Sequence, residues 1–126
     1  MELNGETLRF IREHCKDDVR SLALQAPKYP GVDMSVALTQ IAGRQAAAEK
    51  IPSWHEEEGV LYPRHLSLEQ CSSEATARYK ASIIPESSSG TLTDLTGGFG
   101  IDCAFLSPKF HHVTYVERQE VLCEIA

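Results

Sequence analysis

No two of the four cysteines, Cys15, Cys71, Cys103 and Cys123, form a C-x-x-C pair, so neither a zinc knuckle nor a dithiol redox motif is indicated. No apolar run approaches membrane-spanning length. The opening MELNGETLRF lacks a basic stretch followed by an apolar one, so a secretory signal is not expected. A cytoplasmic protein with reduced thiols follows as the expectation. Positive charge is short as well. The net charge of −6 argues against a broad basic field that coats nucleic acid, while leaving a local basic patch open. What is present is globular: 126 residues, 42% apolar and 24% charged, enough for one domain with one hydrophobic core.

The first ninety residues carry helical periodicity. Residues 6–14 put Leu8 and Ile11 on one face, with Phe10 and His14 adjoining. Asp17 and Asp18 suit the start of a second helix over 18–26, striped by Val19, Leu22, Ala23 and Ala26 and ended by Pro27 and Pro30. Asp33 is placed to cap a third helix that carries Val36, Leu38, Ile41, Ala42, Gln45 and Ala48 before Pro52. SWHEEEG reads as a loop, with Trp54 in a core or interdomain contact and the three glutamates solvated. GVLYP reads as a short extended piece. Ser67 and Gln70 have capping-box spacing, and LEQCSSEATARYKASII fits one helix or two joined near Ser72.

PESSSG, residues 85–90, is expected to be a turn or linker, and the period changes after it. TLTDLT (91–96) is strand-like, IDCAFLS helical, HVTYVE (112–117) strand-like, and RQEVLCEIA helical. That order opens a parallel α/β unit. Adjacent His111 and His112 are read as part of a turn. Cys71 and Cys103 are read as small buried residues, since neither has a cationic setting that would make a nucleophile.

Between the first strand and its helix lies DLTGGFG. Glycine there lets a ligand approach backbone amides at a helix start, where partial positive charge gathers. Nineteen residues beyond Gly98, at the end of the second strand, Glu117 is placed to accept hydrogen bonds from a ribose diol. The dinucleotide pattern G-x-G-x-x-G fails, because Cys103 stands where the third glycine belongs, and no G-K-[ST] follows for a P-loop. A carboxylate at Asp94 would repel pyrophosphate and suits a ligand with a cationic amino group. A ligand-free glycine turn is the plainer alternative.

DLTGGFG followed by YVE resembles motif I and the acidic second-strand end of class I S-adenosylmethionine-dependent methyltransferases. Thr96 replaces the first glycine of the usual D/E-x-G-x-G-x-G, and Gly98 and Gly100 are retained. The upstream LSLEQCSSEATARYKASI is similar to the segment before motif I in a bacterial methyltransferase group with a helical N-terminal region and, in longer members, a THUMP-like domain. The resemblance covers roughly residues 33–126. It implies S-adenosyl-L-methionine as cofactor, with Thr96, Gly98 and Gly100 in the loop around its methionine part. Asp94 would face the amino group, Glu117 the ribose, and Arg118 and Gln119 the adenine. Ser72, Ser73, Glu74 and Thr76 would close the methionine end.

The implied fold is a mostly α N-terminal region followed by the first β-α-β-α unit of a Rossmann-like α/β methyltransferase domain, truncated. Its parts are a helical domain over 1–66, a helix and linker over 67–90, and an incomplete cofactor-binding domain over 91–126. A Pro-rich acceptor loop after a fourth strand has no counterpart, so the catalytic residues are not identified. The expectation is an N-terminal piece of a longer enzyme, inactive by itself and weak or lacking in cofactor binding. RNA would be the methyl acceptor of the longer protein, with Arg44, Lys50, Arg64, Arg78 and Lys80 either scattered or gathered into a facing patch. Exposed sheet edges would invite a homodimer unless the helices cover Leu92, Leu95, Val113 and Tyr115. No metal and no membrane association are expected. The competing reading is a small non-catalytic helical interaction module with a residual α/β segment. A nucleotide-binding oxidoreductase stands further off.

Overall fold

The computed structural model describes residues 2–86 and 90–126, so 87–89 of the expected linker lie outside the described residues. The protein is mostly helical, with one small parallel sheet near its end. Helix α1 (Gly5–Glu13) starts where the Asn4 side chain accepts the Thr7 amide at 2.8 Å. Its inward face is Thr7 and Phe10, while Leu8, expected on the apolar stripe, is 39% exposed. Helix α2 (Val19–Leu24) is capped by Asp18 and is shorter than the expected 18–26. Pro27 has no amide hydrogen to extend an α-helix, and Ala26–Lys28 form a separate 3₁₀ turn.

Helix α3 (Met34–Lys50) is the longest element, and Asp33 caps it by accepting the Val36 amide. The Asp33 amide in turn donates to Thr7 Oγ1 at 3.0 Å, which fastens the start of α3 to α1. A first core of Phe10, Leu22, Ala37 and Ile41 joins α1, α2 and α3. Gln45 and Ala48 face outward instead, and Gln40 is buried. Gln40 is satisfied there because its amide clamps the Tyr62 backbone: Nε2 donates to the carbonyl at 2.9 Å and Oε1 accepts the amide at 2.8 Å. The extended GVLYP piece is thus held by a side chain rather than by a neighbouring strand.

A methyl group at Gly43 would lie 2.3 Å from Tyr62 Cβ. Gly→Ala in a helix ordinarily stabilises, but here the added carbon meets a buried ring. Gly43→Ala should therefore destabilise by about 1–3 kcal/mol. Urea unfolding checks the sign, and a stabilised variant would contradict this packing.

Helix α4 (Pro52–His55) occupies part of the expected loop, with Pro52 at the first turn where a missing amide costs nothing. Helices α5 (His65–Gln70) and α6 (Glu74–Ser82) are two helices, broken at residues 71–73. Ser67 lies inside α5 rather than at a cap; the capping serine is Ser73, which accepts the Thr76 amide at 3.1 Å. Lys50 donates to the carbonyls of Leu68 and Glu69 at the C-terminal end of α5, where the helix dipole favours a cation.

Strands β1 (Thr91–Asp94) and β2 (His112–Tyr115) run parallel, with Thr91 opposite His112 and Asp94 opposite Tyr115. Between them lie helix α7 (Ile101–Leu106) and a 3₁₀ turn, and helix α8 (Glu120–Ile125) follows β2. Each strand is two residues shorter than expected. At the end of β1, Asp94 Oδ1 accepts the Thr96 amide at 3.1 Å and turns the chain, which leaves Leu95 74% exposed. His112 opens β2 rather than belonging to a turn, and both histidines are exposed.

The second and larger core crosses from one half to the other. Ala47, Ile51, Tyr62, Leu68 and Ala77 from the helices pack with Phe99 and Ile101 from the glycine loop and α7. Trp54 sits edge-on to Phe99 at 5.3 Å and stacks on Phe105 at 6.2 Å. The helical region therefore buttresses the glycine loop directly.

Candidate functional site

Parallel strands leave their C-terminal ends facing one side, and ligands in open α/β sheets bind there. Here that side carries Asp94 at the end of β1, the loop 95–100, and Glu117 just past β2. Together with α5, the 71–73 break and the start of α7, they line a cavity of about 360 Å³. That volume is in the range of small-molecule sites.

The loop conformation needs its glycines for different reasons. Gly98 and Gly100 have φ of +55° and +87°, in the left-handed region that side chains disfavour. Gly97 has ordinary backbone, but a Cβ there would lie 2.1 Å from the Tyr115 ring. Tyr115 also donates its hydroxyl to the Gly98 carbonyl. Burial first, and nearby acidic groups second, push the Tyr115 hydroxyl up to about 12, so it remains a donor at neutral pH.

Glu117 is the hub of the loop. Its Oε2 accepts the Gly98 amide at 2.9 Å and its Oε1 accepts the Gln119 amide at 2.9 Å. These bonds, Gln119 first and Gly98 next, hold the Glu117 carboxyl below the ordinary glutamate value of 4.5. A depressed folded value means the contribution is present above 4.5 and is lost as pH falls through the lower folded value. The Gly98 and Gln119 amide resonances should therefore titrate together with a midpoint below 4.5. A midpoint at or above the ordinary value would contradict these bonds.

Of the residues singled out in the sequence, Asp94, Thr96, Gly98, Gly100, Glu117 and Gln119 all line the cavity, as does Ser72. Arg118 does not line it and is exposed. Ser73 and Thr76 are occupied with each other at the start of α6. Glu74 accepts the Ser53 amide at 2.9 Å and bonds Arg78, so it ties α6 to α4 instead of facing the cavity. Arg78 lies over the Phe105 ring at 4.9 Å, and Lys80 pairs with Asp102. With Lys50 of α3 bonded to the α5 carbonyls, three of the five candidate basic-patch residues are committed to partners within the chain.

Asp102 lines the cavity and was not singled out. The available signal was an acid in the first turn of the helix after the glycine loop, a position the helix dipole favours. Its Oδ2 accepts from Ser72 Oγ at 3.1 Å and Lys80 Nζ at 2.9 Å, and its Oδ1 is buried without a partner among the described residues. Cys71 also lines the cavity, and its thiol donates to the Leu68 carbonyl at 3.0 Å. Burial pushes both the Cys71 and Cys103 thiols up, away from the thiolate that a nucleophile needs. Among the described residues, no three His, Cys, Asp or Glu side chains gather closely enough to hold a metal ion, and no helix is long and apolar enough to cross a membrane.

The charged residues of the cavity wall, Asp94, Asp102 and Glu117, are all acidic. Such a wall opposes phosphate groups and favours a ligand carrying positive charge.

No family model and no curated protein matches the chain. Among solved structures, it is similar to the crystal structure of a "putative methyltransferase" from Porphyromonas gingivalis W83, with a TM-score of 0.71 and 29% identity over 90% of this chain. The chain spans 28% of the length of that protein. A methyltransferase fold is what this arrangement of helices, glycine loop and parallel strands supports.

Proposed function

We propose that this chain forms the S-adenosylmethionine-binding part of a class I methyltransferase, with β1, α7, β2 and α8 as the opening of its Rossmann-like sheet. One observation carries the reading: the glycine-loop cavity at the strand ends is lined by three carboxylates, of which Asp102 is paired with Lys80 while Asp94 and Glu117 have no salt-bridge partner among the described residues. A dinucleotide or nucleotide triphosphate would meet that wall with its own negative charge. A sulfonium cofactor with an ammonium group meets it with positive charge.

The residues fit that cofactor group by group. Glu117 retains lone pairs beyond its two backbone bonds and can accept from a ribose diol. Gln119 stands beside it for the adenine. Asp94, with Oδ1 on the Thr96 amide, keeps Oδ2 for an ammonium group. Gly98 and Gly100 keep the loop backbone free of side chains where the ligand approaches. When bound, the cofactor supplies an activated methyl group, and the protein contributes orientation and charge balance.

Equilibrium dialysis of the chain with labelled S-adenosylmethionine and, separately, with NAD tests this reading. Weak retention of the first and none of the second is expected. Retention of NAD alone, or of neither, overturns it, and the second outcome favours a non-catalytic interaction module. The acceptor of the longer protein is RNA, on the strength of the family resemblance. Labelled methyl groups recovered only on protein would contradict that. Two copies pairing through the exposed edges of the two-stranded sheet complete the proposal, and a monomer in sedimentation at micromolar concentration would remove it.

A further inference from the structure

Lys80 does not line the cavity, yet it holds two residues that do. Its ammonium lies 2.9 Å from Asp102 Oδ2 and 3.1 Å from Ser72 Oγ, and Ser72 Oγ itself donates to the same Asp102 oxygen at 3.1 Å. The three groups close a triangle between the 71–73 break, α6 and the first turn of α7. We infer that Lys80 is a positioning residue for the ligand cavity, acting through Asp102 and Ser72, and that ligand binding thereby depends on helix α6. The inference rests on the cofactor reading above for the identity of the ligand.

Asp102 Oδ1 is buried without a partner among the described residues, so the orientation of this carboxylate rests on what Oδ2 is bound to. Removing the cation leaves Ser72 as the remaining bond to a carboxylate that shares its cavity with Asp94 and Glu117. The pair is 43% and 31% exposed, so solvent takes over the carboxylate charge once the cation is gone. The carboxylate then swings toward solvent, and Ser72 loses the bonds that fix its rotamer. Asp102 is the second residue of α7, directly beyond Gly100, so this movement occurs in the cavity wall.

The fold itself has other ties across the same boundary. Ala77 and Ile101 share the larger core, and Arg78 covers Phe105. The Lys80 and Asp102 side chains are 43% and 31% exposed, so the pair contributes little to global stability. The effect falls on the site rather than on folding, which separates positioning from a structural role.

The test compares Lys80→Met, Lys80→Arg and Asp102→Asn with the unaltered chain, with S-adenosylmethionine affinity read by NMR titration. Lys80→Met should weaken binding about tenfold while the melting temperature moves by no more than about 4 °C. Lys80→Arg keeps the cation and should restore affinity to within about threefold. The double variant Lys80→Met with Asp102→Asn should bind no worse than either single variant, since both act through one link. Affinity of Lys80→Met within twofold of the unaltered chain overturns the inference, as does an affinity loss that Lys80→Arg fails to restore. If the unaltered chain binds no S-adenosylmethionine, the cofactor reading fails by itself. The positioning role is then decided without ligand: Lys80→Met should shift the Ser72, Ile101 and Asp102 amide resonances, and unchanged resonances there overturn it.

Discussion

Phe99→Ala is expected to cost about 3–5 kcal/mol of folding stability, as large-to-small changes at buried aromatic sites do. Phe99 is 3% exposed, packs edge-on to Trp54 at 5.3 Å, and lies tilted against Tyr62 at 5.9 Å. Truncation removes the transfer energy of the ring and opens a cavity among Ala47, Ile51 and Ala77, which helices α3 and α6 hold apart. The loss should also appear locally. Phe99 stands between Gly98 and Gly100, both at positive φ, and the ring is what anchors that loop to the helices. Denaturant unfolding gives the stability, and hydrogen exchange of the Gly97 and Gly100 amides gives the loop. A cost under about 1 kcal/mol would mean the glycine loop does not depend on the helical region.

Glu117→Ala should lower affinity for S-adenosylmethionine by well over tenfold, on the usual strength of hydrogen bonds to a charged group. Two losses coincide in this variant. The ribose loses a charged acceptor, and the Gly98 and Gln119 amides lose the carboxylate that draws β2 and the loop together. Glu117→Gln separates them in part, since a glutamine amide offers one acceptor where the carboxylate offers two. It should bind better than Glu117→Ala and worse than the unaltered chain. Equal affinity in the Glu117→Ala protein would remove this residue from the site.

The glycine loop was legible in the sequence because its chemistry is local. Strand, glycines and helix follow one another within a dozen residues, and Glu117 lies at the end of the next strand, so backbone spacing alone brings Asp94 and Glu117 to one side. Asp33 was legible as a cap for the same reason, while Asp17 and Asp18 were legible only as an acidic helix start, and it is Asp18 that caps α2. The third wall of the cavity was not. Asp102 and Lys80 meet only because α6 packs on α7, a long-range contact that no short spacing encodes. Gln40 shows the same limit: a polar residue on a helical face reads as solvated, and its burial makes sense only with the Tyr62 backbone beside it. Leu8 and Leu95 fail in the opposite sense. Hydrophobicity marked them for the core, and geometry left them outside: Leu8 because α1 turns Thr7 and Phe10 inward, Leu95 because Asp94 bends the chain at the strand end.

The domain boundary expected near residue 90 has a core running across it. Phe99 and Ile101 complete a cluster whose other members belong to the helices. A two-stranded sheet is marginal alone, so this packing is what stabilises the loop in a chain of this length.

The glycine loop and the Glu117 turn are together proposed to bind S-adenosylmethionine. Amide NMR of the labelled chain titrated with the cofactor measures it residue by residue, even where binding is weak. Saturable shifts are expected to concentrate at residues 94–100, Glu117 and Gln119, with smaller ones at Ser72 and Asp102, and none on adding NAD at the same concentration. Saturable shifts confined to other parts of the chain, or no shifts at millimolar cofactor, would contradict it.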